Sequence, residues 1–357
     1  MIALLQTLAS KRAFSSSVRL RTWKKLEAHT RHGLDLEYSL RLLRDQAVER
    51  KKISLARQYN GILDLLGTGR TLDVALAPCA PPEEVMLIGG GQASGRLSEG
   101  FRLAVNLIEA RKKITDALIN ALTYPCVLFV IGIGLLLLVS VSVIPTLALV
   151  SNPKTWTGSS AVLYGLASFV ASPLGVTCLV GFIGLVLMLF VTLPFWTGSL
   201  RLVADRFPPW SIYRLTVGSG WLFTVATLMR SGISSTHILD VMIESENTTP
   251  YLRERILAVA EQCGRGKNLA EGLAMTKLCW PDPELVDDLC VYAGLPGFHY
   301  QIHELATEWM VDGIVQIQKQ AGLLKVGLLS LIVAFILLLM LALSSLQQNL
   351  STGIGGY

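Results

Sequence analysis

The sequence predicts an all-α integral membrane protein, with two homologous helical bundles of about six helices each and three transmembrane helices. Three observations point there. Charged residues make up only 16% of the 357, against the roughly 25% usual in soluble domains, and hydrophobic residues make up 52%. The shortage is concentrated: no Asp, Glu, Lys or Arg stands between Asp116 and Lys154, between Lys154 and Arg201, or after Lys325. Outside these deserts the apolar residues recur at helical spacing, and strand-like alternation is nowhere sustained. Finally, two stretches about 200 positions apart resemble each other closely enough to be copies.

Residues 1–117 form the first helical domain. Its opening, "MIALLQTLASKRAFSSSVRLRTWKK", is rich in Arg and Ser and has no acid before Glu27, as in a mitochondrial presequence. A basic amphipathic first helix is preferred, because the pattern runs unbroken into the next one. There "LDLEYSLRLLRDQA" sets Leu36, Leu40, Leu43 and Ala47 three or four apart, an apolar stripe with charges opposite. The second domain, residues 194–322, repeats this in "YLRERILAVAEQC" with Leu252, Ile256, Val259 and Cys263.

The first span and its lead-in cover residues 118–150. Its core, residues 126–144, holds nineteen residues between Pro125 and Pro145; at about 1.5 Å each they match a hydrocarbon layer roughly 30 Å thick. The second span is residues 173–193 and the third residues 323–346. Residues 151–172 link the first two. The piece at 155–170 is apolar but short and rich in small polar residues, which suits an amphipathic helix on the membrane surface, with a fourth span as the alternative.

Basic residues set the orientation. Residues 1–124 carry 19 Lys and Arg and residues 194–321 carry 10, whereas the loop between the first two spans has Lys154 alone and the tail, residues 347–357, has none. Positive loops stay cytoplasmic, so both helical domains are expected inside and the tail outside. The first cytoplasmic stretch has a net charge of +7 and the second of −4. The run Arg111, Lys112, Lys113, just before the first span, is expected to anchor at lipid headgroups or meet a partner.

The copies align in one register. "RHGLDLEYSL" from Arg31 and "RSGISSTHIL" from Arg230 share Arg, Gly33 with Gly232, and Leu. "GTGRTLDVALA" from Gly67 lies over "GRGKNLAEGLA" from Gly264 with five identities. Each copy then has an acidic helix and a glycine turn, "GQASG" from Gly91 to Gly95 or "GLPG" from Gly294 to Gly297, before a long helix enters the membrane.

The first turn sits in "MLIGGGQASGRLSEGF", which resembles a phosphate-binding loop. Such a loop follows a strand and, in its Walker form, ends in Gly-Lys-Ser/Thr. Here a proline-started helix precedes the glycines, Arg96 follows Gly95, and Ser94 occupies the third glycine's place of a GxGxxG. A turn between two helices accounts for both copies; no nucleotide cofactor is expected.

Other chemistry is thin. The six cysteines form no CxxC pair and are read as reduced, small apolar residues. His299 and His303 lie at i, i+4 beside Glu304, but no HExxH is present and the first copy has no counterpart, so no metal is assigned. The carboxylates of "PDPELVDD" are read as an acidic helix start. No catalytic residue and no nucleic-acid contact is expected. A small-solute or ion transporter subunit is the alternative class, disfavoured because no span carries an ionisable residue.

Taken together, the repeat, the spans and the turn resemble the PilC/GspF family, inner-membrane platform proteins of type IV pili and type II secretion. That family's first copy carries a Gly-Glu-x-Ser-Gly-x-Leu turn, then Tyr-Pro at the membrane and a Pro at the span's end. This chain has Gly91, Ser94, Gly95 and Leu97, then Tyr124 with Pro125, then Pro145. Gln92 departs from the family's Glu and the third span has no proline at its entrance, which points to a divergent branch such as the type IVb or conjugative pili. The resemblance implies a scaffold without enzymatic activity in the bacterial inner membrane. Its implied partners are a hexameric cytoplasmic assembly ATPase, pilin or pseudopilin, other inner-membrane assembly proteins, further copies of itself and the lipid bilayer.

Overall fold

The structure, a computed structural model, describes residues 14–354 except 151–152, 154–155, 246–247 and 295–296. The start of the presequence-like stretch, Lys154, Pro296 and the last three residues lie outside the described residues, as do the side chains of His299 and of residues 346–354.

The chain is helical throughout, with no strand among the described residues. The first six helices are α1 (Ser16–Arg31), α2 (Leu36–Glu49), α3 (Ile53–Gly67), α4 (Leu72–Leu76), α5 (Pro82–Ala93) and α6 (Leu97–Leu138). A π-helical turn, Val139–Val143, carries α6 into α7 (Ile144–Val150). Next come α8 (Ser159–Ala171), α9 (Pro173–Thr192) and α10 (Ser199–Ala204). The chain closes with α11 (Trp210–Arg230), α12 (Ser235–Glu244), α13 (Pro250–Gly264), α14 (Leu269–Met275), α15 (Pro283–Tyr292) and α16 (Phe298–Ile354).

Local chemistry explains the helix starts. Asp35 accepts a hydrogen bond from the Tyr38 amide, Asn268 from that of Glu271 and Asp282 from that of Glu284, each satisfying a donor that the first turn leaves unpaired. Pro82, Pro250 and Pro283 stand in the first turn, where a missing N–H does no harm. Six helices, α1 to α6, lead into the first span, and six, α11 to α16, lead into the last. At their joints Gly33 and Gly232, Gly69 and Gly266, Gly95 and Gly297 all adopt a left-handed φ, between 69° and 90°. Only glycine takes that conformation without strain.

Two compact units emerge. In one, the residues up to Asp116 pack with Pro194–Ile314. A continuous core runs through it, in which Trp23, Leu40 and Phe101 from the first copy join Leu228, Tyr251 and Ile256 from the second. Helix α5 packs on α11 and α12, so the stretch before the first span touches the stretch after the second directly.

The other unit comprises Ala117–Leu193 and the chain from Val315 onward. Among the described residues three helices are long and apolar enough to cross a membrane: Leu97–Leu149, Pro173–Thr192 and Gln301–Ser345. The prolines expected to fence the first span do not end the helix. Pro125 lies inside α6, and the chain stays helical past Pro145. A proline ring clashes with the carbonyl four residues earlier, here that of Val141, and the π turn at Val139–Val143 widens the helix at that carbonyl. In lipid no water could satisfy a broken turn, which favours local widening over termination.

Helix α8 has 13 residues and so reaches only about 20 Å, short of a crossing. Leu163 and Ala167 on it pack with Val139, Ile144, Trp156 and Ala342 into a small core. Ser172 caps α9, and a tight corner follows: a Cβ at Gly175 would lie 1.8 Å from the Phe169 carbonyl oxygen.

Candidate functional site

The turn singled out in the sequence sits where α5 hands over to α6. Its three consecutive glycines are helical and do different things. A Cβ on Gly91 would come within 2.7 Å of Gly100 Cα, and one on Gly100 within 2.7 Å of the Leu87 carbonyl oxygen, so the two helices cross backbone against backbone. Gly90 faces open space. Ser94 donates its hydroxyl to the Gly90 carbonyl at 2.9 Å, closing the end of α5; Gly95 makes the left-handed turn and Leu97 leads α6 onto the core. Gln92 accepts a hydrogen bond from the Leu72 amide at 3.0 Å and thereby caps α4. A glutamate carboxylate could accept the same bond, which explains why a glutamine serves here.

In the second copy Gly297 makes the equivalent left-handed turn, while Gly294 has no left-handed torsion. Tyr124 is exposed immediately ahead of Pro125, and Lys325 lies over its ring.

Arg111 departs from the other two residues of the basic run. Its guanidinium pairs with Glu83 at 3.1 Å and donates to the Thr224 hydroxyl at 3.1 Å, bridging the two copies, while Lys112 and Lys113 are exposed. Behind it Glu84, almost wholly buried, receives a two-pronged ion pair from Arg19 (3.0 and 3.1 Å) and a hydrogen bond from the Trp23 indole at 2.8 Å. A cleft of about 750 Å³ opens here. The first copy lines it with Arg19, Cys79, Glu83 and Arg111, the second with Thr216, Trp221, Met242 and Ser245.

A second buried cluster follows the second span. Arg201 bonds Asp205 at 2.8 Å, and Tyr251 and Arg255 reach the other carboxylate oxygen at 3.1 and 3.4 Å. Neither cluster is signalled in the sequence, because the partners stand up to 113 positions apart.

The cleft offers recognition and little reactivity. Burial pushes the Cys79 thiol up to about 12, so it stays protonated and a poor nucleophile. Glu83 and Glu84 are each held by an arginine. His303 packs its ring against Phe223 and lies 3.5 Å from the Thr227 hydroxyl, turned toward α11. Asp282 pairs with Arg214 at 3.6 Å. Among the described residues no three His, Cys, Asp or Glu gather as metal ligands would.

Comparison with known proteins adds three findings. Residues 26–145 match the family described as Type II secretion system (T2SS), protein F. Over 344 residues the chain is 23% identical to the toxin coregulated pilus biosynthesis protein E of Vibrio cholerae serotype O1, covering 95% of this chain and 99% of that protein. Over 289 residues it is 25% identical to the type II secretion system protein F of the same organism, covering 77% and 69%. These similarities support a platform protein of the GspF/PilC family.

Together with the three apolar helices they support an inner-membrane protein with a general platform role in secretion or pilus machinery. The family match begins inside α1 and stops at Pro145, so it takes in the glycine turn, the bridging Arg111 and the first span. The second copy falls outside that match, yet the relatives align well beyond it.

Proposed function

We propose that this chain is the inner-membrane platform of a pilus-assembly machine, with its N-terminus cytoplasmic and its C-terminus periplasmic. In this reading the two homologous helical halves, residues 1–117 and 194–322, lie in the cytoplasm. They engage a hexameric assembly ATPase, and the platform passes its motion to pilin entering or leaving the membrane. Further copies of the chain and other inner-membrane assembly proteins complete the partners.

One observation carries the reading. The residues before the first span and those between the second and third pack around one core, which two intervening crossings permit only if both lie on the same side. The basic bias supports the cytoplasm as that side. Near-complete coverage of the pilus biosynthesis relative, against 69% of the secretion protein, favours a pilus over a secretion machine.

The test is co-purification in mild detergent of the full chain with the assembly ATPase and pilin of its own cell. Specific, stoichiometric capture of the ATPase is expected. Capture of neither protein, or a reporter fused after Tyr357 that is active in the cytoplasm, would overturn the proposal.

A further inference from the structure

We propose that residues 195–207, centred on α10, form an anchor that lies flat on the bilayer surface with Phe195, Leu200, Val203 and Phe207 in the headgroup–acyl boundary. The segment has its polarity inverted relative to water. Arg201 and Asp205 point inward and are almost wholly buried, whereas those four apolar side chains are between 58% and 73% exposed. A segment bathed in water would turn the other way.

The inversion is enforced by partners on α13. Asp205 takes hydrogen bonds from Tyr251 and Arg255, the Arg201 guanidinium stacks 4.7 Å from the Tyr251 ring centre, and Gly198 donates its amide to Glu254 at 3.0 Å. The Tyr251 amide bonds the Pro194 carbonyl at 3.1 Å. With the charged side pinned, the apolar side cannot fold inward and must meet something else.

Chain length names the occupant. The span ends at Thr192, three residues before Phe195 and eight before Leu200. At no more than about 3.6 Å per residue, Phe195 lies within roughly 11 Å of the span's end and Leu200 within roughly 29 Å. Exposed Arg206 suits lipid phosphates, and half-buried Trp196 is the kind of side chain that collects at the membrane interface. The shape fits lipid, independent of whether the chain serves a pilus.

Nitroxide labels test this on the full-length protein in phosphatidylcholine–phosphatidylglycerol vesicles. They are placed at Leu200→Cys, Val203→Cys and Phe207→Cys, with the exposed native cysteines replaced by alanine and Arg265→Cys as an exposed control. The ratio of oxygen to nickel-chelate collisions is expected several-fold above the control at all three positions. A ratio equal to the control would show water there, and exclusion of both reagents would show a protein cover; either overturns the proposal. Hydroxyl-radical footprinting of the unsubstituted chain gives a second reading. Phe195 and Phe207 should be shielded in vesicles while the similarly exposed Tyr38 is oxidised, and equal oxidation after correction for intrinsic reactivity would refute the anchor.

Discussion

The Lys325 ammonium stands 4.5 Å from the ring centre of Tyr124, tying the third span to the first where the last charge of the chain gives way to apolar sequence. A cation over an aromatic face contributes about 0.5–1 kcal/mol when exposed and about 2 when desolvated. Tyr124→Phe should therefore keep most of the coupling, and Tyr124→Leu should lose it. A double-mutant cycle with Lys325→Gln, read from unfolding in bicelles, is expected to show a coupling in that range. Additive losses would mean that the two side chains are neighbours without interaction.

Glu84 makes a sharper case, because its ion pair is buried. Removing one partner of such a pair leaves the other unpaired, at about 3–5 kcal/mol. Glu84→Ala should strand Arg19 and the Trp23 indole and lower the denaturation midpoint of the purified protein accordingly. Glu84→Gln keeps an acceptor for Trp23 and should lose less. Equal midpoints for both variants and the parent would show that Glu84 is not structural.

The glycines at 90, 91 and 95 should respond unequally. Gly90 faces open space in a helix, so Gly90→Ala should stabilise by about 0.5–1 kcal/mol. Gly91→Ala forces a Cβ into the Gly100 backbone and should cost about 1–3 kcal/mol, the range for overpacking. Gly95→Val strains a left-handed residue and should sharply lower the amount of folded protein. Thermal unfolding ranks the first two, and blotting for folded protein checks the third. A phosphate-binding loop would instead lose ligand binding at all three without a ranked loss of stability.

What could be read along the chain follows from how local each cause is. The spans are legible because lipid imposes a composition on twenty neighbouring residues, and the joints at Gly33, Gly95 and Gly232 because a left-handed torsion selects glycine at one position. Gly100 is not legible: it looks like an ordinary weak spot in a helix until α5 crosses it. Arg111 sits in a run that reads as a membrane anchor, and only the fold brings Glu83 and Thr224 to it. The charges of Arg201, Asp205 and Arg255 suggest solvated faces, yet all three are buried, because the fold brings Arg255 to Asp205 from 50 positions away. The prolines misled for the opposite reason. Pro145 ends helices in water, where broken turns are hydrated, whereas in lipid the helix widens instead.

His303 should give the structure an acid-sensitive step. Burial, reinforced by the positive charge of Arg230, holds its imidazole below the ordinary value of 6.5. The unfolded chain therefore takes up the proton first, so protonation favours unfolding. The stability that neutral His303 confers is full above 6.5 and declines as pH falls below it, levelling off only beneath the lowered folded value. Denaturation midpoints measured from about pH 7.5 down to about 5, above the carboxylate range, should fall with pH. His303→Gln, which keeps a polar group facing Thr227 without a titrating proton, should flatten that slope. An unchanged slope in His303→Gln would assign the acid sensitivity to other groups.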